Sequence, residues 1–273
     1  MAVFRNAQGF SLGCAASGNI APAAVTTLQG TAQVPLLLED LIIDSSQSVG
    51  AAVTAIRVAG QNIMASNQSC PTFAFSNQAQ VEGGWRSLSL TLDQSQTLAI
   101  DITNNAGAGV AAVNASFNFS CSTTPISQAD VIPTSQSGDA LNYVFGFGTT
   151  ALAAPIGSQA TLNATALRPT VLGKLIACVE DVAGGTQPFG AVADNIEITS
   201  IQVNNIELLS GAAADAIPLS AVGVGSTDIS AGLLSYPVEL NSQVTLQFRV
   251  HSAPLAGAVV VSAMAYCLPR ATL

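Results

Sequence analysis

The chain repeats itself. Val53–Met64 is echoed by Ile198–Leu209 at an offset of 198 − 53 = 145, and Leu90–Ile102 by Val238–Val250 at 238 − 90 = 148. Phe117–Cys121 is echoed by Ala263–Cys267 at 263 − 117 = 146. Three blocks in the same order at nearly one spacing imply two like units in tandem. A chain of 273 residues is long enough to give each unit its own core.

The echoed blocks are written with a period of two. In Ser87-Leu-Ser-Leu-Thr-Leu92 the leucines face one way and the hydroxyls the other, and Thr97–Ile102 continues the pattern. Thr245–Val250 does the same, with Leu246, Phe248 and Val250 inward. Such segments are half-buried antiparallel strands. Within the first block, Ala59-Gly60 separates two short apolar runs, and Asn204-Asn205 stands at the matching place in its echo. Gly and Asn accept the positive φ that tight two-residue hairpins demand, so both units place a hairpin at one point. Further strands are expected at 26–28, 34–38, 41–44, 72–75 and 110–121 in the first unit. In the second they are expected at 160–167, 174–179, 217–222 and 259–267. Short helices are weakly indicated at 76–81 and 212–216.

These elements divide the chain into an Ala/Gly/Ser-rich N-terminal arm (1–24), a first sandwich (25–121), a linker rich in Pro, Ser, Thr and Gln (122–143) and a second sandwich (144–273). Each unit holds seven or eight strands, and the fold class is all-β.

Charged residues make up only 8% of the chain and the net charge is −9, with one lysine, Lys174, and the arginines spread singly. No basic stripe exists, which argues against direct nucleic-acid binding. The surface must be covered by small and neutral polar side chains, as suits a chain that packs against copies of itself or one with a neutral secreted surface. The first residues lack the pattern of a signal peptide, and no apolar run approaches the length of a spanning helix. The five cysteines are widely spaced, with no Cys/His metal pattern. Buried free thiols are expected, with a Cys70–Cys121 bridge as the alternative.

Reactive groups are scarce. The only histidine, His251, sits at the outward phase of a strand, and no Gly-x-Ser-x-Gly elbow, phosphate loop or dinucleotide fingerprint accompanies it. Two adjacent acid pairs, Glu39-Asp40 and Glu180-Asp181, each follow an apolar strand and stand at 180 − 39 = 141. They are the weak candidates for a Ca²⁺ site, since clustered carboxylates suit a hard cation. Asp101 and Glu82 are the carboxylates an enzyme on this scaffold would have to use. Trp85, beside Gly83-Gly84 and Arg86, is a candidate subunit contact. Four Asn-x-Ser/Thr sequons occur in a chain this rich in those residues and carry no separate meaning. No cofactor is implied.

The duplicated β units, the absent chemistry and the charge-poor surface, together with the run Ala164–Ile176, resemble the double jelly-roll major capsid proteins of tailless icosahedral DNA viruses, the lineage of adenovirus and of membrane-containing phages. The resemblance covers about residues 25–273 and carries no signature residues. It implies two tandem antiparallel jelly-roll sandwiches and no enzymatic activity. It also implies a homotrimer that tiles a capsid lattice as a pseudo-hexagon, a place in the virion after synthesis in the host cytoplasm, and contacts with other capsid or vertex proteins or an internal membrane. The competing readings are a tandem β-sandwich adhesin or carbohydrate-binding module, using Trp85 and the acid pairs, and a carbohydrate-active enzyme using Asp101 or Glu82.

Overall fold

The computed structural model describes residues 10–14, 19–45, 51–75, 87–104, 113–123, 143–181, 195–209, 216–222 and 233–269. The first half contributes β1 (Phe10–Cys14), β2 (Asn19–Ile20), β3 (Val25–Thr31), β4 (Leu36–Ser45), β5 (Ala51–Val58), β6 (Gln61–Asn62), β7 (Cys70–Pro71), β8 (Ser87–Leu92), β9 (Thr97–Asn104) and β10 (Val113–Thr123). The second contributes β11 (Tyr143–Leu152), β12 (Gln159–Thr165), β13 (Thr170–Asp181), β14 (Ile196–Val203), β15 (Ile206–Glu207), β16 (Ile217–Pro218), β17 (Leu233–Val238), β18 (Gln243–Val250) and β19 (Val259–Pro269). A 3₁₀ turn at Thr72–Phe75 follows β7, and a single α-helical turn, α1 (Leu219–Val222), follows β16.

Strand order identifies the architecture. In the first half one sheet runs β1-β10-β4-β8 and the facing sheet β3-β9-β5-β6; in the second half the orders are β11-β19-β13-β17 and β12-β18-β14-β15. Neighbouring strands pair antiparallel in all four. The eight principal strands of each half therefore alternate between two sheets in the order first-eighth-third-sixth and second-seventh-fourth-fifth, which is the jelly roll. The fold is a double jelly roll, as expected from the resemblance.

Register equates the halves residue by residue. Leu38 lies opposite Cys121 as Leu172 lies opposite Cys267, an offset of 134 on the β4 side and 146 on the β10 side. The offset grows by 11 between β4 and β5: the connection lengthens from residues 46–50 to residues 182–195, and β13 is two residues longer than β4. The echo expected at 148 is corrected to 146, because Leu36 pairs with Leu92 where Thr170 pairs with Val238, and Gly30 and Thr31 pair with Leu98 and Thr97 where Ala164 and Thr165 pair with Val244 and Gln243. Sliding a strand by two residues leaves its inward phase intact, so the apolar pattern cannot distinguish the two alignments.

Other expectations change in detail. β1 and β2 fall inside the segment read as an arm, and both pair with β10, so the first roll begins at Phe10 rather than at residue 25. The segments at 34–38 and 41–44 form one strand, β4. The strand expected at 72–75 is the 3₁₀ turn, and that at 217–222 is two residues of strand followed by α1. In each case a proline, Pro71 or Pro218, stands just before the turn, where a pre-set φ starts a helical turn readily. The helix expected at 76–81 lies outside the described residues, as does all but Ala216 of the one expected at 212–216. Inward residues match the alternation: Leu246, Phe248 and Val250, like Leu98, Ile100 and Ile102, are fully buried.

Both hairpins form where Gly60 and Asn204-Asn205 placed them. Ala59 and Gly60 have φ of 49° and 81°, Asn204 and Asn205 of 49° and 66°. Two further turns share left-handed positions, Ala23 with Gly157 and Ser95 with Asn241. At all of these the second roll uses Gly or Asn, while the first holds Ala or Ser at three. An L-residue with a Cβ and no local hydrogen-bonding amide is disfavoured there by about 1 kcal/mol. Ala59→Asn, which installs the second roll's residue in the first, should raise stability by about 0.5–1 kcal/mol. A urea-unfolding series comparing the two proteins checks this, and a lower midpoint would refute it.

Candidate functional site

After the β5–β6 hairpin the first roll has no strand of its own for residues 63–69, and their peptide groups need partners. They find them in the second roll. Ala65 N donates to Val144 O (2.7 Å), Val144 N to Ile63 O (3.1 Å) and Gly148 N to Ser69 O (3.0 Å). Leu167 N donates to Ala65 O (2.8 Å) and Asn67 N to Thr165 O (3.0 Å), while Thr165 N returns a bond to Asn67 Oδ1 (2.8 Å). Ser66, buried, donates to Gly146 O at 2.7 Å. Met64 and Val144 form a parallel bridge and Gln68 and Gly146 an antiparallel one, so the crossing segment turns as it passes along the opening strand of the second roll.

Side chains close the joint. Val144, Ile176, Cys178, Met264 and Tyr266 pack into the first roll's core, whereas Phe145, Leu175, Ala177, Ala263 and Ala265 fill the second. Phe75 meets Tyr266 edge to face, with centroids 6.5 Å apart. The Arg168 guanidinium lies 4.6 Å over the Tyr143 ring and donates to Asn62 O at 2.7 Å. The sheet containing β19 is thus buried on both faces. Gly146 is required by this contact, since a Cβ there would lie 2.4 Å from Ser69 O and 2.5 Å from Gln68 O, both backbone atoms.

Among the described residues two acids, Asp101 and Glu197, are neutralised by arginines on the outer faces. Arg57 donates two bonds of 2.6 Å to Asp101, which also accepts from Thr27 Oγ1 at 2.7 Å. Burial alone would push the Asp101 carboxyl up, but the bonds from Arg57 and Thr27 outweigh it and hold its pKa below the ordinary value. In the second roll the aligned residues Thr161, Gln202 and Gln247 are neutral, and Gln247 instead bonds Gln159 at 3.1 Å. Glu197 accepts from Arg249 Nε at 2.7 Å and lies 3.5 Å from His251 Nδ1. Glu207 turns back on its own hairpin, accepting from Ser200 Oγ (2.5 Å), Ile201 N (2.9 Å) and Leu209 N (3.1 Å). Burial raises its pKa, and these bonds bring it below the ordinary value.

The residues singled out from sequence do not converge. Glu39 is the extra residue of a bulge in β4, and Asp40 pairs with Ser120 and Ser87. Their register counterparts are Gly173 and Lys174, while Glu180 and Asp181 pair with Val260 and Val259 at the far end of β13. The offset of 141 therefore does not relate equivalent positions, and the side chains of the four acids lie outside what is described. Trp85 and Glu82 lie outside the described residues too. Asp101 is committed to Arg57, and His251 to a surface ion cluster. Among the described residues no group of three or more His, Cys, Asp or Glu could hold a metal ion. Cys70, Cys178 and Cys267 are buried free thiols, so Cys70 forms no bridge. Burial pushes the Cys70 thiol well up and that of Cys267 up to about 12. What sequence reading missed is the 63–75 crossing. Its only signals were a proline just before a helical turn, Pro71, and a glycine inside a strand, Gly146.

No protein-family model matches the chain, and no curated protein matches it. Among solved structures it is similar to the major capsid protein P2 from bacteriophage PM2, at 8% identity and a TM-score of 0.34, covering 97% of this chain and 100% of that one. It is also similar to PBCV-1 VP54 fitted into a reconstruction of the virophage Sputnik, at 12% identity and a TM-score of 0.34, covering 97% and 95%. A quasi-atomic model of the PBCV-1 virus capsid gives 10% identity and a TM-score of 0.32 over the same shares.

Two outcomes follow from these contacts. Gly146→Ala should destabilise the protein by about 3 kcal/mol, because neither carbonyl can move without breaking the joint; an unchanged thermal midpoint would contradict it. Asp101→Asn should cost about 1 kcal/mol at pH 7. The wild-type carboxylate contributes fully above the unfolded pKa of about 3.9 and loses that contribution as pH falls through its lower folded pKa. The stability gap between the two proteins should therefore close below about pH 4. Urea midpoints from neutral to strongly acidic pH check this, and a gap that does not narrow refutes it.

Proposed function

We propose that the protein is a structural subunit, the major capsid protein of an icosahedral virus shell. It works in the virion, where it assembles as homotrimers and then as a lattice. The observation that carries this reading is the joint: two jelly rolls held together by backbone bonds and a shared apolar wall. Such a unit is rigid enough to be a tile. Three of them in a ring present six similar rolls, which packs a surface as a pseudo-hexagon. The outer faces suit this use, because charged residues are only 8% of the chain and, among the described residues, Asp101 and Glu197 are paired with arginines. Contacts between tiles then close through neutral hydrogen bonds and small apolar patches, with little dependence on salt. Other capsid or vertex proteins would complete the shell.

Light scattering on the purified protein, with negative-stain imaging of the same sample, tests the reading. The expected result is a trimer with a six-lobed outline whose population changes little over a roughly tenfold range of salt. A protein that stays monomeric at the highest attainable concentration, with no assembled particles in the images, would sink it.

A further inference from the structure

The register that equates the rolls also equates a covered surface with an uncovered one. In the first roll Ile63 N bonds Ile56 O at 2.8 Å and Met64 N bonds Asn62 Oδ1 at 3.0 Å. In the second roll Leu208 N bonds Ile201 O at 2.8 Å and Leu209 N bonds Glu207 Oε1 at 3.1 Å. The four residues form the same structure twice, at an offset of 145. Their environments differ. Ile63 and Met64 are 4% and 1% exposed because β11 lies along them. Leu208 and Leu209 are only half-buried, and their neighbour Ile206 is 57% exposed. Leu208 and Leu209 pack in part against the second roll's own core, and among the described residues no strand lies along them as β11 lies along Ile63 and Met64.

The matching uncovered strand lies at the other end of the same chain. β1 occupies the position in its sheet that β11 occupies in the second: Leu12 faces Phe119 as Phe145 faces Ala265, and Gly13 faces Asn118 as Gly146 faces Met264. Among the described residues β1 pairs only with β10, and its outer edge is open. Gly13 therefore repeats, on an open edge, the glycine that the internal joint needs for close backbone approach, where glycine otherwise weakens a strand. The turn after β3 agrees. In the joint, Leu167 and Arg168 bond the crossing segment; the aligned residues of the first roll are Gln33 and Val34, and Val34 is 37% exposed.

We propose that the joint inside one chain is repeated between chains: Ile206–Leu209 of one copy seats against β1 and the Gln33-Val34 turn of a second copy, head to tail. This rests on the self-assembly reading above and names its interface. The contact is heterologous, so it closes into a ring when the rotation between successive rolls closes. It is also more polar than the internal joint, because the register equivalents of Met264 and Tyr266 on β10 are Asn118 and Ser120.

Two variants test it. Gly13→Leu adds bulk to an edge that has no paired strand among the described residues but is closed in the proposed contact. It should weaken trimer formation at least about tenfold while the far-ultraviolet spectrum and melting temperature stay as in the wild type. Independently, Ser11→Cys combined with Leu209→Cys places thiols where Val144 and Met64 bridge in the joint. Under mild oxidation the double variant should give disulfide-linked dimers and trimers in denaturing gels, and neither single variant should. If wild-type trimers persist in Gly13→Leu and no interchain disulfide forms, this interface is overturned while the trimer stands. An intrachain disulfide in the double variant overturns it as well, because the two surfaces then meet within one copy. A wild-type protein that never leaves the monomer overturns the self-assembly reading together with the interface.

Discussion

The fold hinges on a run of peptide groups that cannot be satisfied where they arise. Beyond Ile63, whose N–H still bonds Ile56 O, residues 64–69 have no neighbouring strand in their own sheet among the described residues, and an unpaired buried peptide group costs about as much as a lost hydrogen bond. Pairing with β11 and with the turn after β12 resolves this. The same pairing buries Val144, Met264 and Tyr266 against the first core and demands a glycine at 146. The backbone joint, the shared apolar wall and the close approach at Gly146 are one constraint seen three ways. The halves are therefore two folds by topology but one packed body, and cutting between them would expose the apolar face that the second roll's sheet turns to the first core.

That double burial is written in the strands. β19 reads Val259-Val-Val-Ser-Ala-Met-Ala-Tyr-Cys267, almost without polar interruption, as a strand covered on both faces must. β10, its counterpart, alternates as Val113-Asn-Ala-Ser-Phe-Asn-Phe-Ser-Cys121. The contrast records which roll receives a neighbour inside the chain. The duplication, the all-β class and the two hairpins were legible because they depend on local rules: alternation, and residues that tolerate positive φ. The two-residue error in aligning β9 with β18 was not avoidable by pattern alone, since a slide of two preserves which side chains point inward. The crossing at 63–75 was illegible for a different reason. Its residues obey no period of their own, because their partners are a strand about 80 residues away (Met64 against Val144) rather than a neighbour in sequence.

The candidate site was less legible than the fold, and the acid pairs explain why. Glu39-Asp40 and Glu180-Asp181 look equivalent in sequence because both follow apolar runs. The growth of the offset from 134 to 145 happens after β13, so a pair near the middle of β4 and a pair at the end of β13 were matched across an insertion. Once the register is used, the counterpart of Asp40 in the second roll is Lys174 and the apparent shared chemistry disappears. Asp101 and His251 lose their catalytic reading similarly: one is held by Arg57 and Thr27, the other by the Glu197 cluster, and each set belongs to a single roll. The paired positions retain backbone geometry and interior volume, not reactive groups.

A joint made once inside the chain and, as proposed, again between chains has a definite thermodynamic consequence. The internal contact forms at the effective concentration set by the tether between the rolls, so it is made whenever the chain folds. The proposed contact between chains would pay the full translational and rotational cost of association and would be made with a more polar face. A subunit assembling this way would fold as a monomer and join others only as its concentration rises. The low charge favours that separation, because with few charges to repel or attract at long range the step is governed by short-range fit of small and neutral side chains. Reversible closure of this kind lets wrongly placed copies leave before a lattice traps them, which a joint as apolar as the internal one would not allow.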